Sequence, residues 1–283
     1  MSRIPFPRYR RTPGSPGRRS KGRLWIALVI AGVSIVSFLM TRSKNPITGQ
    51  TQYVAMSVQD EIALGLQAAP EMAAQHGGLH PDTEAQALVD EVGNRLLARG
   101  LTVETPYQFE FHLLADPQTV NAFALPGGQV FITAALFSQL ETEGQLAGVI
   151  GHEIGHVIER HGAERLAKMN LTQGLVGAVG VAASEEGRGY QAAAVAAAIG
   201  QLVNMRYGRD DELECDRWGV KLMADAGYDP RAQIRVMEIL RDAGGGGGPE
   251  FFSTHPNPEN RIGRIERAIE ELFPNGVPEG LVP

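Results

Sequence analysis

The sequence predicts an α+β fold, mainly α, with a small antiparallel sheet, preceded by one transmembrane helix. Three observations predict it. Most of residues 57 to 274 falls into runs with apolar residues three and four apart, closed by Gly or Pro. Two short stretches, 107 to 115 and 129 to 133, break that period with alternating or β-rich residues. Residues 24 to 40 carry no charge at all.

Residues 1 to 23 are basic and rich in Pro and Gly, and read as a disordered cytoplasmic tail. The uncharged run that follows, "LWIALVIAGVSIVSFLM", reaches about 25 Å as a helix, near the hydrocarbon thickness of a bilayer. Eight Lys/Arg precede it and Arg42 and Lys44 follow, which places the N-terminus in the cytoplasm and the rest across the membrane, in a bacterial periplasm or its equivalent. The run ends in "SFLMTRSK" without a small-x-small cleavage site, so it reads as an uncleaved signal anchor; cleavage would give a secreted form. Residues 41 to 56 are a tether.

The net charge of −6 conceals a contrast. Residues 1 to 44 hold ten Lys/Arg and no acid, leaving 16 basic and 32 acidic residues, or −16, on residues 45 to 283. So acidic a surface repels polyanions and excludes a nucleic-acid partner. The single cysteine, Cys215, excludes an intrachain disulfide framework. With 43% hydrophobic residues the chain can bury a core without one.

Within the domain at 57 to 274, a helix over 58 to 76 follows Ser57 as N-cap and stops at Gly77-Gly78. A second covers 82 to 99, with Leu88, Val92, Leu96 and Leu97 on one face and Gly100 after it. "YQFEFHLLA" (107 to 115), "NAFALPGG" and "QVFIT" (129 to 133) then predict the small sheet, with the stretch at 130 to 133 as an exposed edge. Thr142 and Gln145 have the spacing of a capping box and open a helix whose stripe is Leu146, Val149, Ile150, Ile154, Val157 and Ile158. Residues 171 to 202 read as a hairpin of small-residue helices around "EEGRG", packed on the domain, or serving as a lid or touching the membrane. Helices follow over 208 to 226, from Asp229-Pro230 to 243, and from Asn257-Pro258 to just before Pro274. Five glycines, 244 to 248, read as a flexible joint, and 275 to 283 as a tail.

The helix after Thr142 carries "GHEIGH". His152 and His156 lie four residues apart, just over one helical turn, so both can hold one ion, while Glu153 points about 100° away as a base beside it. A catalytic zinc needs a third protein ligand and an open position. His161 would lie about 140° round a continued helix, which makes it a capping or structural residue. The acidic helix "YGRDDELECDRWG" offers Glu212 as ligand and, four residues on, Asp216 to orient a histidine ring. Glu214 and Asp211 are expected to face water.

"VIGHEIGHVIERHG", "RDDELECDRWGV", "STHPNPENRI" and "NAFALPGGQVFIT" together resemble the gluzincin metalloendopeptidases that include the heat-shock protease HtpX, the CAAX prenyl endopeptidase and periplasmic quality-control proteases. The resemblance covers about 107 to 267 and implies a zincin-like domain with one Zn2+ per chain. It implies zinc on His152, His156 and Glu212, Glu153 as base, and Asp216 behind the ligands. It also places His255 near the site, to stabilise an oxyanion with Arg261 or to fill the open zinc position. The expected activity is hydrolysis of peptide bonds in unfolded or misassembled envelope proteins, with protein or peptide substrates and a membrane contact through residues 24 to 40. A protease-like scaffold with a closed site is the alternative, and an aminopeptidase lacks an evident anchor for a substrate N-terminus. Cys215 departs from the alanine usual before the aspartate.

Overall fold

The computed structural model describes residues 19–100, 105–183, 207–243, 250–257 and 260–283. Helix α1, Arg19–Met40, contains the uncharged run and begins before it, so only residues 1 to 18 of the basic tail lie outside the described part. The following stretch is ordered: strands β1 (Arg42–Lys44) and β2 (Thr51–Tyr53) pair antiparallel. Asn45 Nδ2 donates to the Ile158 carbonyl at 2.8 Å, and Gln52 donates to the Glu159 carbonyl. The tether is thereby fastened to the end of the motif helix.

Helix α2 (Val58–Gln75) opens as expected: the Asp60 amide donates to Ser57 Oγ at 3.2 Å, and the Ser57 amide donates to Asp60 Oδ2 at 3.1 Å. It ends where Gly77 and Gly78 take positive φ of 78° and 86°, a region open to glycine without strain. Helix α3 is Thr83–Gly100.

The sheet corrects two expectations. Its order is β3 (Glu110–Leu114), β5 (Gln129–Thr133), β4 (Ala122–Ala124). Only β4 runs antiparallel to β5; β3 runs parallel to it, with Glu110 opposite Gln129 and Leu114 opposite Thr133. The sheet is therefore mixed. And β5 is its centre, buried at every residue, so the stretch at 130 to 133 is no edge. An unbroken apolar run suits a strand covered on both faces and flanked on both sides.

After the short helix α4 (Ala134–Phe137) comes the motif helix α5, Glu143–Ile158. Thr142 Oγ1 accepts from the Gln145 amide at 3.3 Å, but Gln145 Oε1 accepts from the amide of Glu141, so half of the expected capping box forms. The Gly144 amide, another unpaired first-turn donor, reaches the Pro283 carbonyl at 2.7 Å, which docks the chain's end beneath α5.

Helix α6 runs unbroken from His161 to Ala183; the rest of the expected hairpin, 184 to 202, lies outside the described residues. Helix α7 is Arg209–Ala226, closed by Gly227 at φ 81°. Helices α8 (Ala232–Ala243), α9 (Phe251–Thr254) and α10 (Arg261–Leu272) complete the described chain. The glycine joint lies outside it. Helix α10 starts later than Asn257-Pro258 predicts, because Asn260 takes φ 56°, which no right-handed helix accommodates.

Two glycines set the spacing at the centre. A Cβ on Gly155 would stand 3.1 Å from Cys215 Cα, and one on Gly151 would stand 3.3 Å from Gly219 Cα. Helices α5 and α7 therefore touch backbone to backbone, flanked by Ile150, Ile154, Val220 and Met223. That closeness brings the acidic helix to the histidines.

Candidate metal centre

His152, Glu153 and His156 are carried by α5, Glu212 and Asp216 by α7, and His255 follows α9; all are nearly or fully buried. Helical spacing points both histidines at α7, and the glycine contacts close the gap. His152 Nε2 lies 3.2 Å from His156 Nε2 and 3.3 Å from Glu212 Oε2. His156 Nε2 lies 3.6 Å from Glu212 Oε1. His255 Nδ1 stands 3.2 Å from both His156 Nε2 and Glu212 Oε1.

The other ring nitrogens decide what these atoms are. His152 Nδ1 faces Asp216 Oδ1 at 3.0 Å, and a carboxylate only accepts, so Nδ1 carries the proton and Nε2 presents a lone pair when the ring is neutral. His156 Nδ1 lies 3.1 Å from His161 Nδ1. If it donates there, its Nε2 also presents a lone pair. Two lone pairs and a carboxylate so close repel one another unless a cation lies among them. Four donors round a tetrahedral zinc with bonds of about 2.0–2.1 Å stand roughly 3.3 Å apart. The observed separations match, and the buried Glu212 Oε2 has no hydrogen-bond partner. The residues fit zinc.

Charge follows the same demand. Burial alone would raise the Glu212 carboxyl, but His255 and His152 hold it well below its ordinary range. Burial opposes charge on His152, yet the hydrogen bond to Asp216 and the neighbouring Glu212 carboxylate prevail and push it up to about 9, so without an ion a proton on Nε2 stands in the cation's place. His156 is driven well below its ordinary value by burial and by the neighbouring histidines. Burial also raises Glu153, against His255 and His152, and neither of its oxygens has a hydrogen-bond partner; His255 Nε2 lies 3.6 Å away.

Arg261 stands behind these groups. Its Nε and Nη2 donate to Asp216 at 2.7 and 2.8 Å, its Nη1 lies 3.2 Å from Glu212 Oε2, and it is buried. It braces the carboxylates from behind. Glu214, expected in water, lies 3.5 Å from His161 Nε2, while Asp211 Oδ2 accepts from the Gly208 amide at the start of α7.

Sequence reasoning missed several residues here. Tyr207 stacks on His156 at 3.9 Å and Phe251 stacks on His255 at 4.4 Å. Trp218 Nε1 donates to Glu159 at 2.6 Å, and Arg160, at φ 59°, donates to Glu61 and to the Met56 carbonyl. The aromatic residues on either side of the acidic and histidine motifs, in "RYGRDD" and "FFSTH", were the available signal. Beside His156 a small cavity is lined by Ala124, Leu125, Pro126 and Tyr207.

Fold and donor set define a zincin-type metallopeptidase domain. The chain belongs to Peptidase family M48, whose profile matches residues 83–269. It is 31% identical to Mitochondrial metalloendopeptidase OMA1 of Schizosaccharomyces pombe, over 90% of this chain and 75% of that protein. It is 29% identical to Beta-barrel assembly-enhancing protease of Yersinia pestis, over 87% of this chain and 51% of that protein. The same protease of Escherichia coli shares 29% over 88% of this chain and 52% of its own length. The chain thus spans about half the length of these assembly-enhancing relatives.

Proposed function

We propose that the protein is a zinc-dependent metalloendopeptidase, anchored in a membrane by α1, which hydrolyses unfolded or misassembled proteins outside the cytoplasm. The convergence of His152, His156 and Glu212, with the unpaired Glu153 carboxylate beside them, carries this reading. The relatives named for mitochondrial metalloendopeptidase activity and for enhancing β-barrel assembly support it.

His152, His156 and Glu212 would hold the zinc, which when bound supplies a polarised water and carbonyl at neutral pH. Asp216 fixes the His152 ring and Arg261 fixes Asp216. Glu153 takes a proton from the attacking water and passes it to the leaving amine, a role its buried, unpaired carboxylate suits. An extended substrate would add to β4. Because β4 and β5 pair at Asn121–Thr133 and Leu125–Gln129, the alternation of an antiparallel ladder turns the main-chain groups of Ala122 and Ala124 away from β5. Ala124 also lines the cavity beside His156.

One observation favours a closed form: His255 Nδ1 is within 3.2 Å of two of the proposed ligands. Placed there, His255 would compete with water for a zinc held by the other three, as a resting state or a scaffold with a shut site would require. The test is casein digestion by the full chain in detergent. A chelator and Glu153→Gln should each abolish it, with zinc retained in the variant. Undiminished digestion by Glu153→Gln would sink the assignment, and His255→Ala turnover no faster than the parent's would sink the closed form.

A further inference from the structure

We propose that Met169–Ala183 of α6 lies inside the bilayer against α1, as a second membrane-embedded helix. This rests on the reading of α1 as a membrane anchor, and on three features of α6 itself.

The first is a matched seam. On α1, Ala27, Ile30, Ala31, Ser34 and Phe38 are covered, while Trp25, Leu28, Val29, Val33 and Val36 are exposed. The covered set repeats at helical spacing. On α6 the covered residues are Ala167, Leu171, Gly174, Leu175 and Ala178, again at helical spacing, with Val176 exposed at 65%. The two helices pack along these stripes. A Cβ on Gly174 would stand 2.8 Å from Ser34 Cβ, so the backbones meet closely at that point, as helices in lipid do at small residues.

The second is depth. Phe38 stacks on Tyr53 at 5.0 Å and the Tyr53 amide donates to Glu164 at 3.4 Å, so the C-terminal end of α1 and the start of α6 share one level and the helices run antiparallel. Counting from the Ser34–Gly174 contact, Met40 is level with Lys168 and Trp25 with Ala183. At about 1.5 Å per residue, α6 accompanies α1 through the whole apolar run.

The third is charge. Lys168 is the last charged residue before Glu185, leaving sixteen uncharged residues, about 24 Å of helix. Lys168 sits where α1 meets the aqueous side, a position from which an ammonium reaches the interface. Among the described residues α6 meets the rest of the domain over its first turns, through β2 and α5 and through Leu166 and Met169, which cluster with Met56 and Leu64. Its outer face is polar near Lys168, at Asn170, Thr172 and Gln173, and turns apolar at Val176, which water would leave uncovered and acyl chains would cover.

A consequence for the site follows. Only Glu159 and Arg160 separate α5 from α6, and both are pinned, by Trp218 and Glu61. His161 lies seven residues, about 10 Å, above Lys168. The proposed zinc helix is thus held just above the membrane, and its substrates are chains presented at that surface.

The test uses the full chain with Cys215→Ala, reconstituted in phosphatidylethanolamine–phosphatidylglycerol vesicles. Single spin labels are placed on Val33→Cys, Val176→Cys and, as the aqueous reference, Leu272→Cys. Collision with oxygen should exceed collision with a water-soluble nickel chelate several-fold at 33 and at 176, and the order should reverse at 272. A label at 176 that behaves like 272 while 33 favours oxygen overturns the embedded α6 and leaves the anchor standing. Preference for nickel at 33 overturns the anchor, and α6 with it. As a check on folding, Ser34→Cys with Gly174→Cys should form a disulfide in the vesicles, and failure to cross-link counts against the seam.

Discussion

His161 Nδ1 lies 3.1 Å from His156 Nδ1, and His161 Nε2 lies 3.5 Å from Glu214, so a histidine and a carboxylate stand in line behind the second proposed zinc ligand. Asp216 plays the corresponding part for His152. Groups of this kind hold a ligand's ring and tautomer, and losing one weakens metal binding by about 10- to 100-fold. His161→Phe should therefore raise the zinc Kd by about that factor, measured by competition with a chromophoric chelator. His161→Asn keeps an acceptor near Nδ1 and should recover part of the loss. Equal affinities in parent and His161→Phe would leave His161 a structural residue only.

Arg261 is buried and pairs with both Asp216 and Glu212, which the His152 ring also touches. Its removal leaves two buried carboxylates short of a compensating charge. Arg261→Ala should cost about 3–5 kcal/mol in the metal-free protein, measured by denaturant unfolding in detergent. Arg261→Lys, unable to present two parallel donors to Asp216, should recover only part. An Arg261→Ala variant as stable as the parent would show that the pair contributes nothing net.

The approach of α5 to α7 makes a separate prediction. A side chain at Gly155 would press on Cys215 Cα and on Trp218 Cβ, each 3.1 Å from its Cβ. Gly155→Val should destabilise by about 1–3 kcal/mol and reduce zinc affinity together, because it parts the histidines from Glu212. Gly151→Ala, with 3.3 Å to Gly219 Cα, should do less of both. Zinc binding that survives Gly155→Val unchanged would mean that helix spacing does not set the site.

Asp116, just after β3, accepts from the Gln118 and Thr119 amides at 2.9 and 3.0 Å and faces His76 Nδ1 at 3.0 Å. Burial works against its charge, but these bonds prevail and hold its carboxyl well below the usual carboxylate range. A folded pKa below the unfolded one stabilises at pH above about 4, and that contribution fades as pH falls through the folded value. Asp116→Ala should thus lose about 1–3 kcal/mol at neutral pH. The gap to the parent should narrow in acid melts below about pH 4; a gap that widens there contradicts the sign.

Much of this arrangement is legible in the residues, and the exceptions share a cause. Ser57, Gly77-Gly78, Thr142 and Gly227 set helix limits through local chemistry, and the four-residue spacings of His152–His156 and Glu212–Asp216 fix their faces. The rotation used to place His161 assumed that α5 continued. The helix ends at Ile158, and Arg160 turns into the left-handed region without a glycine to signal it, held there by Glu61, 99 residues away. The direction of β3 and the central place of β5 likewise depend on pairing across the chain, which no local pattern specifies.

Metal removal discriminates most directly among the proposed ligands. Zinc that binds only the folded chain adds RT ln(1 + [Zn]/Kd), about 2.7 kcal/mol at a hundredfold excess over Kd. The parent, stripped by a chelator, should melt lower and regain its Tm when zinc returns. The baseline of Glu212→Ala is harder to read, because deleting the carboxylate also relieves the charge that His152 and Arg261 answer in the metal-free state. The increment on adding zinc is free of that ambiguity: it reports binding alone. In Glu212→Ala it should be largely lost, whereas in Glu214→Ala, one step further from the proposed ion through His161, most of it should remain. A full zinc increment in Glu212→Ala would place the third ligand elsewhere, with His255, 3.2 Å from His156 Nε2, the nearest remaining candidate.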